Sequence, residues 1–257
     1  MLVSLSTIPS ILLFIYVLYC ALSPICRELF SCYLNTKKEK TMKIGIIGAG
    51  FVGRAIATLA IKNGHQVMLS NSRGPQTLFS LRPMVGCDVG TATEAAIFGD
   101  IVVIAVPLSA ISQLPVAELR GKPVVDAVNY YPERDGQVEA LDRLETTTSE
   151  LLAGYLPGAL ITKAFNAIPM TQLESDGLPS GAPTRRALPL AGDDATGKRL
   201  VTELYEAFGF DVVDAGALAE GWRFERGMPT YCVRMTKETL STALDNAQRS
   251  DVAVSGR

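Results

Sequence analysis

The chain has 257 residues, 48% of them hydrophobic and 19% charged, with a net charge of −2 at neutral pH. That suffices for one globular domain with a full core plus an extension, and it offers no basic excess for a nucleic-acid partner. The single histidine (His65) and five cysteines (Cys20, Cys26, Cys32, Cys87, Cys232) show neither a CxxC pair nor a framework spacing, which argues against a metal site and a disulfide scaffold and for a reduced, intracellular folded part.

Residues 1–41 stand apart from the rest of the chain. No charged side chain occurs between Met1 and Cys26, and residues 11–22 are an unbroken run of apolar side chains, tyrosines and one cysteine; Arg27, Glu28 and then Lys37, Lys38, Glu39 and Lys40 come next. The unbroken run is short for a spanning helix, whereas residues 2–26 together just reach the required length. A cleaved signal peptide would begin with basic residues, and this start has none. Two readings stay open. The segment is a membrane anchor whose basic flank leaves the enzyme domain facing the cytoplasm, or it is a non-native start ahead of a cytoplasmic domain that begins at Met42.

From Met42 the pattern becomes regular. Ile44, Ile46 and Ile47 form a buried strand that runs into Gly48-Ala49-Gly50-Phe51-Val52-Gly53, and residues 54–62 carry apolar side chains at helical spacing up to the stop signal Asn63-Gly64. Residues 65–70 read as a second strand, which completes a βαβ unit. In the GxGxxG turn Gly48 makes the tight bend, Gly50 lets the backbone approach a diphosphate, and Gly53 lets helix and strand pack closely. The free N–H groups at the helix start receive the phosphate charge. An NAD site places a carboxylate at the end of the second strand; here the chain reads Ser70-Asn71-Ser72-Arg73. Asn71 and Ser72 donate hydrogen bonds and Arg73 offers a fork suited to a phosphomonoester, so the residues favour NADP(H).

Further along, residues 75–81 predict a short helix, 85–91 a weak third strand and 93–98 a helix capped by Thr93. Residues 100–107 are a β-branched run typical of a strand buried on both faces, which places Ala105, Val106 and Pro107 at the carboxyl rim where ligands bind. Residues 124–129 repeat the pattern and end on Asn129. Residues 160–169 give another strand, with Asn166 at its end. A strand at 187–191, a helix at 194–208 capped by Asp194 and a strand at 210–215 complete the set. The fold expected is a doubly wound, mostly parallel, Rossmann-like α/β domain over residues 42–232, followed by a polar tail, 233–257, whose residues 237–257 are expected to fray.

Several segments in this order, Lys43 to Gly53, Asn71-Ser72-Arg73-Gly74-Pro75, Ile104-Ala105-Val106-Pro107, Val125-Asp126-Ala127-Val128-Asn129, Lys163-Ala164-Phe165-Asn166-Ala167-Ile168 and Ala191-Gly192-Asp193-Asp194-Ala195, together with Gly209-Phe210 and Val213-Asp214-Ala215-Gly216, resemble the NADPH-dependent coenzyme F420 reductases and related NADP oxidoreductases. The module is also similar to the cytoplasmic domain of the STEAP metalloreductases. The resemblance implies hydride transfer between NADPH and a flavin or deazaflavin, with F420, FMN, FAD or a quinone as the small-molecule acceptor, and little side-chain acid–base chemistry. It also implies that Gly48, Ala49, Gly50, Phe51, Val52, Gly53, Asn71, Ser72, Arg73, Ala105, Val106 and Pro107 hold NADP. Asn129, Ala164, Phe165, Asn166 and Ala167 would border the nicotinamide. No residue is singled out as catalytic.

Rival readings stay open. A 6-phosphogluconate-type or pyrroline-5-carboxylate-type reductase needs a large helical domain after the sheet, and only about 40 residues follow position 215. In that reading Lys163 is the candidate acid–base lysine, but its place inside a strand favours a structural role. A non-catalytic NADP sensor fits the same residues. If residues 1–26 are an anchor, a membrane-tethered electron carrier also fits. The segment around Trp222, with Arg223 and Arg226, either covers the cleft or packs as a surface helix; the second reading is preferred. Homodimerisation is left open.

Overall fold

The computed structural model describes residues 41–251. Up to residue 40 the N-terminal extension therefore lies outside the described residues, and so do both readings of it. Among the described residues no helix is long and apolar enough to cross a membrane.

Eight strands form one sheet: β1 (Lys43–Ile47), β2 (Gln66–Ser70), β3 (Asp88–Gly90), β4 (Ile101–Ile104), β5 (Pro123–Asp126), β6 (Leu160–Lys163), β7 (Ala187–Gly192) and β8 (Asp211–Asp214). Their spatial order is β3-β2-β1-β4-β5-β6-β7-β8. Neighbours run parallel except at β6 and β7, which pair antiparallel through Thr162 with Gly192 and Lys163 with Ala191. The order reverses between β1 and β4, the switch point that opens a crevice at the carboxyl ends of the strands. The Rossmann-like fold class is thus observed.

The α-helices of seven residues or more are α1 (Phe51–Lys62), α2 (Ala92–Phe98), α3 (Thr148–Tyr155), α4 (Ala195–Ala207) and α5 (Lys237–Asn246). Because side chains alternate across a strand, β4 splits its run between two cores. Ile101 and Val103 join Ile44, Ile46 and Leu69 under α1 and α4, whereas Val102 and Ile104 pack with Ile47 and Ala95 under α2 and α3. Coverage on both faces explains why these strands read as uninterrupted apolar runs.

Several boundaries differ from expectation. The strands expected over 100–107, 124–129 and 160–169 stop at Ile104, Asp126 and Lys163. Apolar character continues past the last ladder bond because Ala127, Val128 and Ala164 to Ile168 are buried in the loops at the rim, whereas Ala105 and Val106 are half-buried and Pro107 is exposed. The helix expected at 75–81 is a 3₁₀ turn, Pro75–Leu78, followed by a separate Leu81–Val85 helix. The cap of α2 is Thr91 and not Thr93. The Thr91 Oγ1 accepts from the Glu94 amide at 3.2 Å, and the Glu94 carboxylate accepts from the Thr91 amide at 2.7 Å, a reciprocal capping box. That bonding also holds the Glu94 carboxyl below its ordinary range. Asp194 caps α4 as expected, accepting from the Gly197 amide at 2.7 Å.

The stretch expected to fray contains α5, capped by Thr236. Leu240 and Leu244, one turn apart, are buried with Ala187, Ala191 and Phe224 in a third core cluster. Two apolar positions in a polar helix give little sequence signal, and their partners come from distant segments. Leu240→Ala should lower unfolding stability by about 2–4 kcal/mol, measured by urea denaturation. A change below about 0.5 kcal/mol would mean that α5 is not part of the cooperative fold.

Candidate functional site

The turn from β1 to α1 is built by steric necessity. Gly48 has φ of +118°, and a Cβ there would stand 2.2 Å from the carbonyl oxygen of Ala105. A Cβ on Gly53 would meet the Gly48 carbonyl at 1.9 Å, whereas one on Gly50 would meet nothing within 4 Å. The first and third glycines therefore close the packing and the second faces open space, the division of labour expected for a backbone that admits a ligand. The amide of Gly48 donates to the Ser70 carbonyl at 3.0 Å, which ties this turn to the end of β2. α1 starts with no side-chain cap and no acidic residue in its first turn, so its leading N–H groups have no side-chain acceptor.

The end of β2 supplies the second wall. Asn71 donates through Nδ2 to Thr77 Oγ1 at 2.8 Å and accepts through Oδ1 from the Arg73 amide at 3.1 Å. Gln76 donates to the Arg73 carbonyl at 3.0 Å. These bonds fix the loop backbone, while the Arg73 guanidinium has no carboxylate partner among the described residues. The third wall is the end of β4.

One cleft joins the three. Its lining takes Gly48, Ala49 and Gly50 from the glycine turn, Asn71, Ser72 and Arg73 from the loop after β2, and Ala105, Val106 and Pro107 from the loop after β4. Arg54 of α1, Ala92 of α2 and the 3₁₀ turn Leu108–Gln113 close it, the last through Ala110 and Gln113. Those closing residues were not foreseen from the sequence. Arg54 follows the third glycine directly, and that adjacency was the available signal. The lining contains two arginines and no carboxylate, so the cleft offers charge only to an anion.

The other expected site residues lie elsewhere. Phe51 is exposed on α1, Val52 packs against the core and Gly53 is buried under the turn. Asn129 and Ala164, Phe165, Asn166 and Ala167 sit at the ends of β5 and β6, outside the cleft lining. Asn129 donates to the Asn166 carbonyl at 3.0 Å, and Asn166 donates to Asn129 Oδ1 at 3.3 Å and to the Phe224 carbonyl at 3.0 Å. The buried Asn166 Oδ1 has no hydrogen-bond partner. Phe165 has φ of +62° and points into the core, its ring centroid 4.5 Å from that of Tyr205. Its amide donates to the Tyr205 hydroxyl at 2.6 Å. Burial pushes that phenol well above the ordinary tyrosine range.

Lys163 is fully buried. Its Nζ lies 2.8 Å from Thr148 Oγ1, 3.2 Å from the Val128 carbonyl, 3.5 Å from Asp126 and 3.4 Å from Glu225. Asp126, also fully buried, accepts from Ser149 at 2.5 Å and from the Val128 amide at 2.9 Å. This closed network joins β5, β6, α3 and the segment that holds Glu225, a structural arrangement. Trp222 lies in the 3₁₀ segment Leu218–Phe224 with the guanidinium groups of Arg223 and Arg249 over its ring at 4.7 and 5.3 Å. Arg226 pairs with Glu133 at 2.7 Å and stacks on Tyr131. This segment contributes nothing to the cleft lining. Among the described residues no three histidine, cysteine or acidic side chains could hold a metal ion.

Residues 43–130 match the family described as NADP oxidoreductase coenzyme F420-dependent. The chain is 30% identical over 189 residues to the metalloreductase STEAP3 of Rattus norvegicus, a match covering 73% of this chain and 36% of STEAP3. It therefore spans about a third of that relative's length. Among solved structures, the hypothetical protein SMa0349 of Sinorhizobium meliloti superposes with a TM-score of 0.66 at 30% identity, covering 80% of this chain and 99% of that one. A structure assigned as an F420-dependent NADP-reductase, from Arthrobacter sp. FB24, gives a TM-score of 0.59 at 25% identity, over 69% of this chain and 86% of that one.

Proposed function

The chain belongs to the NADP oxidoreductase family, and on that premise we propose that it binds NADP(H) in the cleft and exchanges a hydride with a flavin or deazaflavin of the F420 type. The observation that carries this reading is the composition of the cleft: a glycine turn with open space at Gly50, Asn71-Ser72-Arg73 on the ribose side and no carboxylate anywhere in the lining. A 2′-phosphate is repelled by the acid that NAD sites carry at this point and is bonded by a guanidinium. The residues present therefore fit the cofactor. The uncapped start of α1 takes the diphosphate through backbone N–H groups. Ala105, Val106 and Pro107 give the nicotinamide end an apolar wall, and at the ends of β5 and β6 the unpartnered Asn166 Oδ1 is an acceptor suited to a carboxamide N–H.

When bound, NADPH supplies the hydride. The protein orients the rings and limits the access of water, and no side chain in the cleft lining is suited to general acid–base work. Ring-to-ring hydride transfer is the redox chemistry that least requires such a group. The F420 description of the matched family and the name of the Arthrobacter structure support a deazaflavin. The match to the metalloreductase STEAP3 supports a metal chelate as a further acceptor to test.

The test is NADPH oxidation by the full chain with F420, FMN, FAD, a ferric chelate or no acceptor in parallel. Turnover with F420 or a flavin is expected. Binding of NADPH without turnover in any arm would replace the enzyme with a non-catalytic NADP sensor.

A further inference from the structure

Arg54 is the one cation in the cleft lining besides Arg73. Its position in the helix is set by Gly50, whose carbonyl accepts the Arg54 amide at 3.0 Å. Helix side chains lean toward the N-terminus over the preceding turn, and here the lean is fixed by a bond: Arg54 Nε donates to the Ala49 carbonyl at 2.8 Å. That leaves the two terminal nitrogens for the cleft. No carboxylate pairs with them among the described residues, although most arginines of the domain are so engaged, including Arg82, Arg134, Arg143, Arg185, Arg186 and Arg199.

We propose that Arg54 is a second ligand of the 2′-phosphate, gripping from the α1 side the group that Arg73 holds from the end of β2. The inference rests on the NADP reading given above and extends it to a residue in a different element. The chemistry calls for a second cation. A phosphomonoester carries nearly two charges at neutral pH, and one guanidinium compensates one of them. The diphosphate has its own donors in the open start of α1, whereas the far side of the 2′-phosphate has only Arg54. The link between the Gly48 amide and the Ser70 carbonyl holds the two loops side by side, so a ligand seated between them meets both arginines.

The experiment compares adenosine 2′,5′-bisphosphate with adenosine 5′-monophosphate, which differ only in the 2′-phosphate, by calorimetric titration of the full chain and of Arg54→Ala and Arg54→Lys. Arg54 is on an exposed helix face, and alanine there favours the helix, so folding is preserved. The wild type should prefer the bisphosphate. Arg54→Ala should weaken bisphosphate binding on the order of tenfold or more and leave the monophosphate within about twofold, with Arg54→Lys between wild type and Arg54→Ala. Equal losses for both ligands would move Arg54 to the 5′-phosphate side, and no loss for either would remove it from the site; each overturns the proposal. A wild type without preference for the bisphosphate overturns the NADP reading together with the proposal, a pattern distinct from failure of Arg54 alone.

Discussion

Arg73→Asp should cut NADPH affinity on the order of 100- to 1000-fold while NADH affinity stays within a few-fold of its starting value. The loss has two parts. A charge-assisted contact worth about 1.5–3 kcal/mol disappears, and a carboxylate now faces a dianionic phosphate in a cleft that has no other acid. The same carboxylate is the group that bonds the ribose 2′-hydroxyl in NAD sites, so NADH has a compensating partner. The loop does not depend on the side chain, because its geometry is set by Asn71, Gln76 and Thr77 bonding backbone and one another. Titration of both nucleotides against wild type and variant decides the matter. Parallel losses for NADPH and NADH would sink the assignment of Arg73 to the 2′-phosphate.

Lys163→Met should destabilise the domain by about 3–5 kcal/mol, the cost of breaking a buried ion pair from one side. Methionine keeps most of the length and removes the charge, which leaves Asp126 and Glu225 without their cation. Asp126 cannot turn to solvent, since it is fully buried and fixed by Ser149 and the Val128 amide. Adding Asp126→Asn to Lys163→Met should return part of the loss, because the uncompensated charge is then gone. Urea denaturation of the three proteins measures both effects. A single variant as stable as wild type would show that the lysine does not hold these elements together.

The glycine turn and the ribose loop were legible in the sequence because each is local, with spacing and residue type alone setting its geometry. The central strands were legible because both of their faces are buried. What escaped depends on distant partners. The run at β7 reads the same in either direction, so its antiparallel pairing with β6 had no local sign. α5 offers two leucines whose partners are Ala187, Ala191 and Phe224. Lys163 was placed in a strand, yet its carboxylates come from β5 and from residue 225. In the cleft, Arg54 gives little signal in the sequence, because an arginine on a helix is ordinarily solvated. Phe165 was expected at the rim, and its chain position is there, but a left-handed backbone turns the ring into the core.

That turn at Phe165 links parts of the molecule that do not touch through the cleft. A substituted residue in the left-handed region costs about 1–2 kcal/mol, and here the cost is offset by burial of the ring against Tyr205 and Phe208 and by the bond from its amide to the Tyr205 hydroxyl. Tyr205 lies in α4 and Phe208 just beyond it, on the layer opposite α3. The next residue after the turn is Asn166, whose amide is held instead by Asn129 and the Phe224 carbonyl. α4 therefore sets the backbone at the end of β6: without the Tyr205 hydroxyl the Phe165 amide loses its acceptor, and ring burial alone is left to offset the cost of the turn.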